Sequence, residues 1–407
     1  MYKILQINVD ANNGSNGSIA KAIGDVALNN GWQSYIAYGR LATASNSIQF
    51  KIGTNTDVKL HAIESRLFDN HGLASRRVTR KFIRKVREIN PDIVHLHNIH
   101  GYFINYEILF KFLKEINVPV LWTLHDCWSF TGHCGHFVTA GCDKWKTQCS
   151  HCPLRNEYPR SLFVDRSQKN FMLKRELFTS IDNLILVPVS YWLGGMLKQS
   201  FFKDKAIHVI QNGIDLDIFR PIAINKSALG LDNSKKTIMG VANVWTNSKG
   251  LQEFIQLSKN DSYQIVMIGV DENIKKLLPH NIIAINRTED QKQLVQYYSV
   301  ADVLVNPTYA DTFPTINLEA LACGTPVVTY RTGGSPEAID ENTGVVVTQG
   351  DFKALEEAIY NILSENIEKN EERAKLCRNR AEQFFNKNDR FVEYFELYKQ
   401  ILRNDKI

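Results

Sequence analysis

Short strand-like runs alternate with helical stretches along this chain, and the whole alternation occurs twice. The first series opens at Tyr2 to Val9, passes through the small-residue turn NNGSNGS into a helical stretch from Ile19 to Asn29 stopped by Gly31, and resumes as the strand SYIAYG. Further strand signals stand at 92–97, 119–124 and 184–189. A second series follows the turn-rich segment NGIDLDIFRP, with runs at 237–242, 263–268, 281–285, 302–305 and 326–330. Strands separated by helices imply parallel sheets covered on both faces. The expected fold is therefore α/β, with two Rossmann-like domains at residues 1–213 and 214–387, joined where Asn-Gly and Arg-Pro punctuate the chain. From Phe352 onward the pattern is helical. Phe391, Tyr394, Phe395 and Tyr398 recur at spacings of three and four, an apolar stripe expected to pack residues 388–407 back on the first domain.

Composition removes several classes. At 407 residues, 44% hydrophobic and 22% charged, the chain matches a globular protein rather than a disordered or fibrous one. No apolar run approaches the ~20 residues that cross a bilayer, and the opening MYKILQINVD is too short for a secretory leader, so a cytoplasmic location is expected. The net charge of +5 is local: residues 76–88 carry seven basic side chains and one acidic. With Val78, Phe82, Ile83 and Val86 at helical spacing, this segment suits contact with anionic lipid on the inner face of the cytoplasmic membrane, or a charged helix covering its own sheet. Nucleic acid is not expected, because aromatic residues do not interleave with the charges.

The segment ADTFPTINLEALACGTPVVTYRTGGSPEAI, residues 310–339, is the most informative. Pro314, Gly324 and Pro326 frame a short helix from about Pro314 to Cys323. It follows the strand DVLVNP, so its N-terminus opens at the carboxyl edge of the sheet, where open α/β folds bind ligands. Backbone N–H groups and the helix dipole favour a phosphate there. Asp311 and Glu319 would repel phosphate and should accept hydrogen bonds from hydroxyls instead. Phosphates flanked by hydroxylated rings describe a nucleotide sugar.

The spacing from Asp311 to Glu319, followed by GTPVV at 324–328 and GGSPE at 333–337, resembles the acidic-x7-Glu motif of retaining GT-B glycosyltransferases. HVIQNGIDLDIF (208–219), NSKG (247–250), TLHD (123–126) and PVS (188–190) match in the expected order. The resemblance implies two domains facing a cleft and transfer of a sugar, with retained configuration, from a UDP- or GDP-linked donor. The basic stretch at 76–88 points to an acceptor held at the inner membrane face, a saccharide or lipid-linked oligosaccharide for surface polysaccharide, and the sequence offers no divalent-ion motif for the diphosphate. The resemblance further implies that Glu319 holds the ribose and Asp311 the donor sugar. The N–H groups of Phe313, Thr315 and Ile316, in the loop with Thr312 and Pro314, would meet phosphate and sugar. Lys249 would pair with the diphosphate, His125 would stand beside the transferred sugar, and Gly17 would approach the diphosphate. Two departures are visible. The first acid is Asp rather than Glu, and the arginine that commonly precedes the lysine is absent from GVANVWTNSKG, leaving Asn243, Trp245 or another basic residue to take part of its role.

Five of the seven cysteines, Cys127, Cys134, Cys142, Cys149 and Cys152, fall within 26 positions. In a reducing compartment such clustering favours metal over disulfides. Cys134, Cys142, Cys149 and Cys152 are expected to close a structural zinc site, with His133, His136 or His151 able to replace one sulfur, and buried free cysteines or a redox pair as the competing reading. Two other functions remain open from the residues: a sugar-nucleotide epimerase or hydrolase on the same fold, and a zinc-containing nucleic-acid or protein interaction module.

Overall fold

Runs such as VLWTL at Val120–Leu124 and LILVP at Leu184–Pro188 are buried at every position, as befits strands in a sheet covered on both faces. In the computed structural model, which describes residues 1–403 and all their side chains but those of Ser15 and Asn16, these runs belong to two parallel sheets. Residues 404–407 of the expected C-terminal helix lie outside the described residues.

The first sheet contains β1 (Lys3–Asn8), β2 (Gln33–Tyr38), β3 (Ile48–Lys51), β4 (Ile93–Leu96), β5 (Val120–Leu124), β6 (Leu184–Pro188) and β7 (Ala206–Ile207), in the order β3-β2-β1-β4-β5-β6-β7. The second contains β8 (Lys236–Val241), β9 (Tyr263–Ile268), β10 (Ile282–Ile285), β11 (Val303–Asn306), β12 (Val327–Tyr330) and β13 (Gly344–Val347), in the order β10-β9-β8-β11-β12-β13. Strand order reverses between β1 and β4 and again between β8 and β11. At such a point the loops leaving the carboxyl ends part and open a crevice. The expected α/β class with two Rossmann-like sheets is what the chain forms.

The chain divides into two compact units, Met1–Ile210 with the segment from Phe391 on, and Gln211–Arg390. The second is built on Ile238, Phe254, Met267, Val305 and Val328 beneath the helix Phe352–Leu363. In the first, Ile4, Ile93, Leu121 and Val187 pack with Phe391, Tyr394, Phe395 and Tyr398 of the helix Lys387–Leu402. Two of those rings are also fixed by polar contacts: Tyr398 Oη lies 2.6 Å from His95 Nδ1, and Tyr394 Oη accepts from Thr123 Oγ1 at 3.2 Å.

Two local readings change. The NNGSNGS stretch is not a loop throughout, since the first helix already begins at Gly14 and runs to Asn29. Three strands were not foreseen, β3, β7 and β13, and all three lie at sheet edges. They are two to four residues long.

Between β5 and the helix Ser167–Thr179, residues 125–166 contain no helix or strand beyond three short 3-10 turns. This insertion is organised by its aromatic residues. Trp145, 1% exposed, packs with Phe130 at 5.2 Å and Phe137 at 4.8 Å between ring centroids. Lys174, buried on the adjoining helix, donates to the carbonyls of Trp128 at 2.6 Å and Thr131 at 3.0 Å while its Nζ sits over the Trp128 ring.

Candidate active site

The helix expected from Pro314 to Cys323 spans Thr315–Ala322. Pro314 stands just outside it as the N-cap, because its ψ of 118° is extended rather than helical. Proline brings no side-chain cap to the first turn, so the helix N-terminus at the carboxyl edge of β11 keeps N–H groups and a positive dipole end available to an anion.

Several sequence motifs converge around that turn. A Cβ placed on Gly333, whose φ is +54°, would lie 1.7 Å from the Asp311 carbonyl oxygen, and the Gly334 N–H donates to the Thr312 carbonyl at 3.1 Å. The GGSPE turn is therefore in direct contact with the DTFP loop, and only a residue without a side chain fits at that place. Gln211, from the HVIQNG segment, donates to Glu337 Oε2 at 2.7 Å and ties that motif to the same turn.

Lys249 ends a short 3-10 turn at Asn247–Lys249 after β8. Its Nζ reaches Asp311 Oδ2 at 2.8 Å and the Ala310 carbonyl at 3.3 Å. Both side chains are partly exposed, 37% and 24%, so the pair is weak in stability terms and open to exchange with a charged ligand. Glu319, one turn into the helix, accepts from Tyr298 Oη at 2.7 Å and from Thr315 Oγ1 at 3.3 Å. Burial pushes its carboxyl pKa up, against the pull of those two hydrogen bonds. Thr312, Phe313 and Pro314 are buried, while Thr315 and Ile316 are partly exposed at the mouth of the turn.

Asn243 is exposed on the loop after β8. Trp245 cannot stand in for the absent arginine: it is 3% exposed and its indole N–H donates to the Ile268 carbonyl at 2.9 Å. A buried polar network beneath the site was not foreseen. Asn306 Nδ2 donates to Asn317 Oδ1 at 2.8 Å, Asn317 Nδ2 donates to Ser335 Oγ at 3.0 Å, and Ser335 Oγ lies 2.7 Å from Thr329 Oγ1. Together these join the ends of β11 and β12 to the helix and the GGSPE turn, and the asparagine closing an otherwise apolar strand was the one signal available.

His125 and Gly17 stand on the other unit. His125 follows β5 directly, and its ring stacks at 5.9 Å on that of His97. Burial lowers its pKa to about 4, although neighbouring Asp126 pulls the other way, so the ring is neutral at physiological pH. His95 and His97 are interior residues, with His97 Nε2 3.0 Å from Gln6 Oε1. Gly17 lies within the first helix, and a Cβ there would meet the Asn12 nitrogen at 3.0 Å, so the bare backbone serves a close turn.

The zinc expectation needs correction. Cys134, Cys142, Cys149 and Cys152 line one small pocket with His133 and Trp145, yet among the described residues no three of His, Cys, Asp or Glu are arranged to hold a metal ion. Cys134 is a buried free thiol, and Cys142, Cys149 and Cys152 are half-buried ones. Cys134 and Cys152 share a hydrogen bond that raises the pKa of the first and lowers that of the second to about 7, and burial lifts Cys149 to about 11. The insertion is held by its aromatic core instead.

The basic segment forms the helix Arg76–Ile89, which buries Thr79, Phe82, Val86 and Ile89 and leaves its arginines and lysines exposed. Among the described residues no helix is long and apolar enough to cross a membrane.

Comparison with known proteins bears on both units. The family described as Glycosyl transferases group 1 matches residues 223–383, and that described as Glycosyltransferase Family 4 matches residues 42–218. The chain is 24% identical over 374 residues to a protein named as a colanic acid biosynthesis glycosyl transferase, WcaC, of Escherichia coli (strain K12), with 86% of this chain and 89% of that one covered. Its fold resembles sucrose-phosphate synthase from Thermosynechococcus elongatus, with a TM-score of 0.74 at 19% identity and both chains covered in full. It also resembles HepE of Anabaena in complex with UDP and glucose, with a TM-score of 0.67 at 14% identity over 98% of this chain and 100% of the other.

Proposed function

Because the chain belongs to the group 1 glycosyltransferases of GT-B architecture, we propose that it moves a hexose from a nucleoside diphosphate to a hydroxyl acceptor with retained configuration, in assembly of a surface polysaccharide or its lipid-linked precursor. In this reading the second unit holds the donor and the first the acceptor. The reading is carried by the uncapped N-terminus of Thr315–Ala322, with the Lys249–Asp311 pair before it and Glu319 inside it. UDP and glucose bound to HepE, and colanic acid in the name of WcaC, point the same way.

The donor diphosphate lies at the first helical turn, where the N–H groups of Phe313, Thr315 and Ile316 face it. It draws Lys249 Nζ from Asp311, whose freed carboxylate then accepts from a hydroxyl of the donor sugar. Glu319 turns from Tyr298 and Thr315 to the ribose hydroxyls. As the sugar–phosphate bond breaks, charge grows on the leaving diphosphate, and Lys249 and the helix dipole stabilise it. The leaving phosphate takes the acceptor proton on the same face of the sugar. Asn243 completes the donor contacts of the second unit. The exposed basic face of Arg76–Ile89 supports a place on the anionic inner surface of the membrane.

Thermal denaturation with UDP, GDP and ADP and their sugars tests the class and the donor together. A ligand at a hundred times its Kd should stabilise the chain by about 2.7 kcal/mol, and Glu319→Ala should remove that gain. If none of the nucleoside diphosphates stabilises the wild-type chain, the proposal fails. If a donor binds but is only hydrolysed whatever acceptor is offered, the chain is not a transferase.

A further inference from the structure

The first unit carries a second cavity, of about 360 Å3, that includes none of the donor residues. Two kinds of chain segment build it. Tyr102 comes from the loop between β4 and the helix Tyr106–Ile116, whereas Asn156, Glu157, Tyr158 and Arg160 come from the insertion after β5. Both segments leave the carboxyl edges of adjacent central strands, the edge at which open α/β sheets take ligands. Arg66 joins from the end of the helix Asn55–Phe68, and its carbonyl accepts the Leu162 N–H at 2.7 Å, which locks the insertion to that helix.

The walls are of two chemistries. Tyr102 and Tyr158 meet edge to face at 6.0 Å. Tyr158 is 53% exposed but does not swing freely, because its hydroxyl donates to the His100 carbonyl at 2.8 Å. Tyr102 holds a left-handed backbone, φ +64°, a conformation that a residue with a side chain keeps only where the surroundings impose it. Behind both rings sits His71, 4% exposed, with neither ring nitrogen hydrogen-bonded and its ring 4.9 Å from Tyr102 and 5.6 Å from Tyr158.

The second chemistry is positive charge. Arg66 and Arg160 are exposed, and among the described residues neither is engaged in an ion pair. The charges of Arg66 and Arg40 act on Tyr102, and that of Arg40 on Tyr158 as well. Glu157 stands at the rim, and Asp126, outside the lining but close enough for its charge to act on Tyr158, is already held by His100 Nε2 at 2.9 Å. Cations therefore exceed unpaired carboxylates around the exposed ring of Tyr158, which the buried Tyr102 ring backs. Rigid rings offer an apolar face to the C–H side of a sugar, and guanidinium forks match planar or tetrahedral anions.

We propose that this pocket binds an acidic sugar, a hydroxylated ring bearing a carboxylate or a phosphate. That such a sugar is the acceptor end rests on the glycosyltransferase reading above; the binding itself does not.

The test uses the full chain and three probes, methyl β-glucuronide, glucose 1-phosphate and the neutral methyl β-glucoside, titrated by saturation-transfer NMR, with UDP titrated separately. At least one anionic probe should bind about tenfold or more tighter than the neutral one, and the tighter of the two identifies carboxylate or phosphate as the source. Arg66→Gln with Arg160→Gln should erase the preference and leave UDP affinity unchanged, which also shows that the variant is folded. Equal binding of all three probes, or an undiminished preference in the double variant, overturns the proposal. If UDP fails to bind the wild-type chain while the anionic preference holds and depends on the two arginines, the donor assignment falls and the pocket stands.

Discussion

Lys249 and Asp311 neutralise each other at 2.8 Å on a partly exposed surface, an interaction worth at most about 1 kcal/mol to the fold. In the proposed function their weight is in catalysis. Lys249→Ala should lower kcat by about 10²–10³, as removal of one electrostatic stabiliser of a transition state does, while the denaturation midpoint stays nearly unchanged; steady-state kinetics and a denaturant titration separate the two effects. Glu319 invites a pH test. Burial raises its pKa in the free protein, and only the ionised carboxylate accepts from two ribose hydroxyls. Donor affinity should therefore weaken as pH falls, with a midpoint above the ordinary glutamate value of about 4.3, and Glu319→Gln should abolish that limb in a calorimetric pH series. Gly333 has a different reason to be invariable in this chain. An added methyl would collide with the Asp311 carbonyl at 1.7 Å, so Gly333→Ala should displace the DTFP loop and lose donor binding, measured with UDP, more than it loses stability. The carboxylates and the glycine pair were legible from their spacing. The contact between them, and the Tyr298 hydroxyl that occupies Glu319, were not, because they join parts of the chain far apart in sequence.

The insertion at 125–166 shows where element-level reading gives out. Its cysteine spacing suggested metal, whereas the segment closes on Phe130, Phe137 and Trp145 and on a lysine from the next helix. No local period predicts that a charged side chain will be the strut. Lys174 holds the carbonyls of Trp128 and Thr131, so Lys174→Met should leave two buried acceptors unsatisfied and cost about 2–4 kcal/mol in chemical denaturation. Burial also lowers the Lys174 pKa to about 7. Between pH 7 and the ordinary lysine value of about 10.4 the unfolded chain holds a proton that the folded chain has released. The contribution of this group to stability therefore rises with pH across that window, and the rise should be missing from Lys174→Met. The central strands, by contrast, were visible as apolar runs, while the edge strands β3, β7 and β13 were not foreseen.

At the scale of the whole molecule the last helix is the most consequential element. Phe391, Tyr394, Phe395 and Tyr398 enter the core of the first unit from the far end of the chain, and Tyr398 reaches His95 on β4. Tyr398→Ala should destabilise that unit by about 3–5 kcal/mol, the range for truncating a buried aromatic ring, and should shift its unfolding ahead of the second unit in a calorimetric scan. The alternation of strands and helices, hence two parallel α/β sheets, and the acidic, glycine and proline positions around the short helix at 315–322 are readable from the residues alone. These are local properties: periodicity, turn chemistry and the polarity of a helix end act between neighbours in the chain. Tertiary structure alone decided that the cysteine-rich insertion would be organised by rings and a buried lysine, that a polar network would brace β11 and β12, and that two tyrosines and two arginines would share one pocket. Such arrangements depend on which residues distant in sequence are brought within a few ångströms, and spacing along the chain does not encode that.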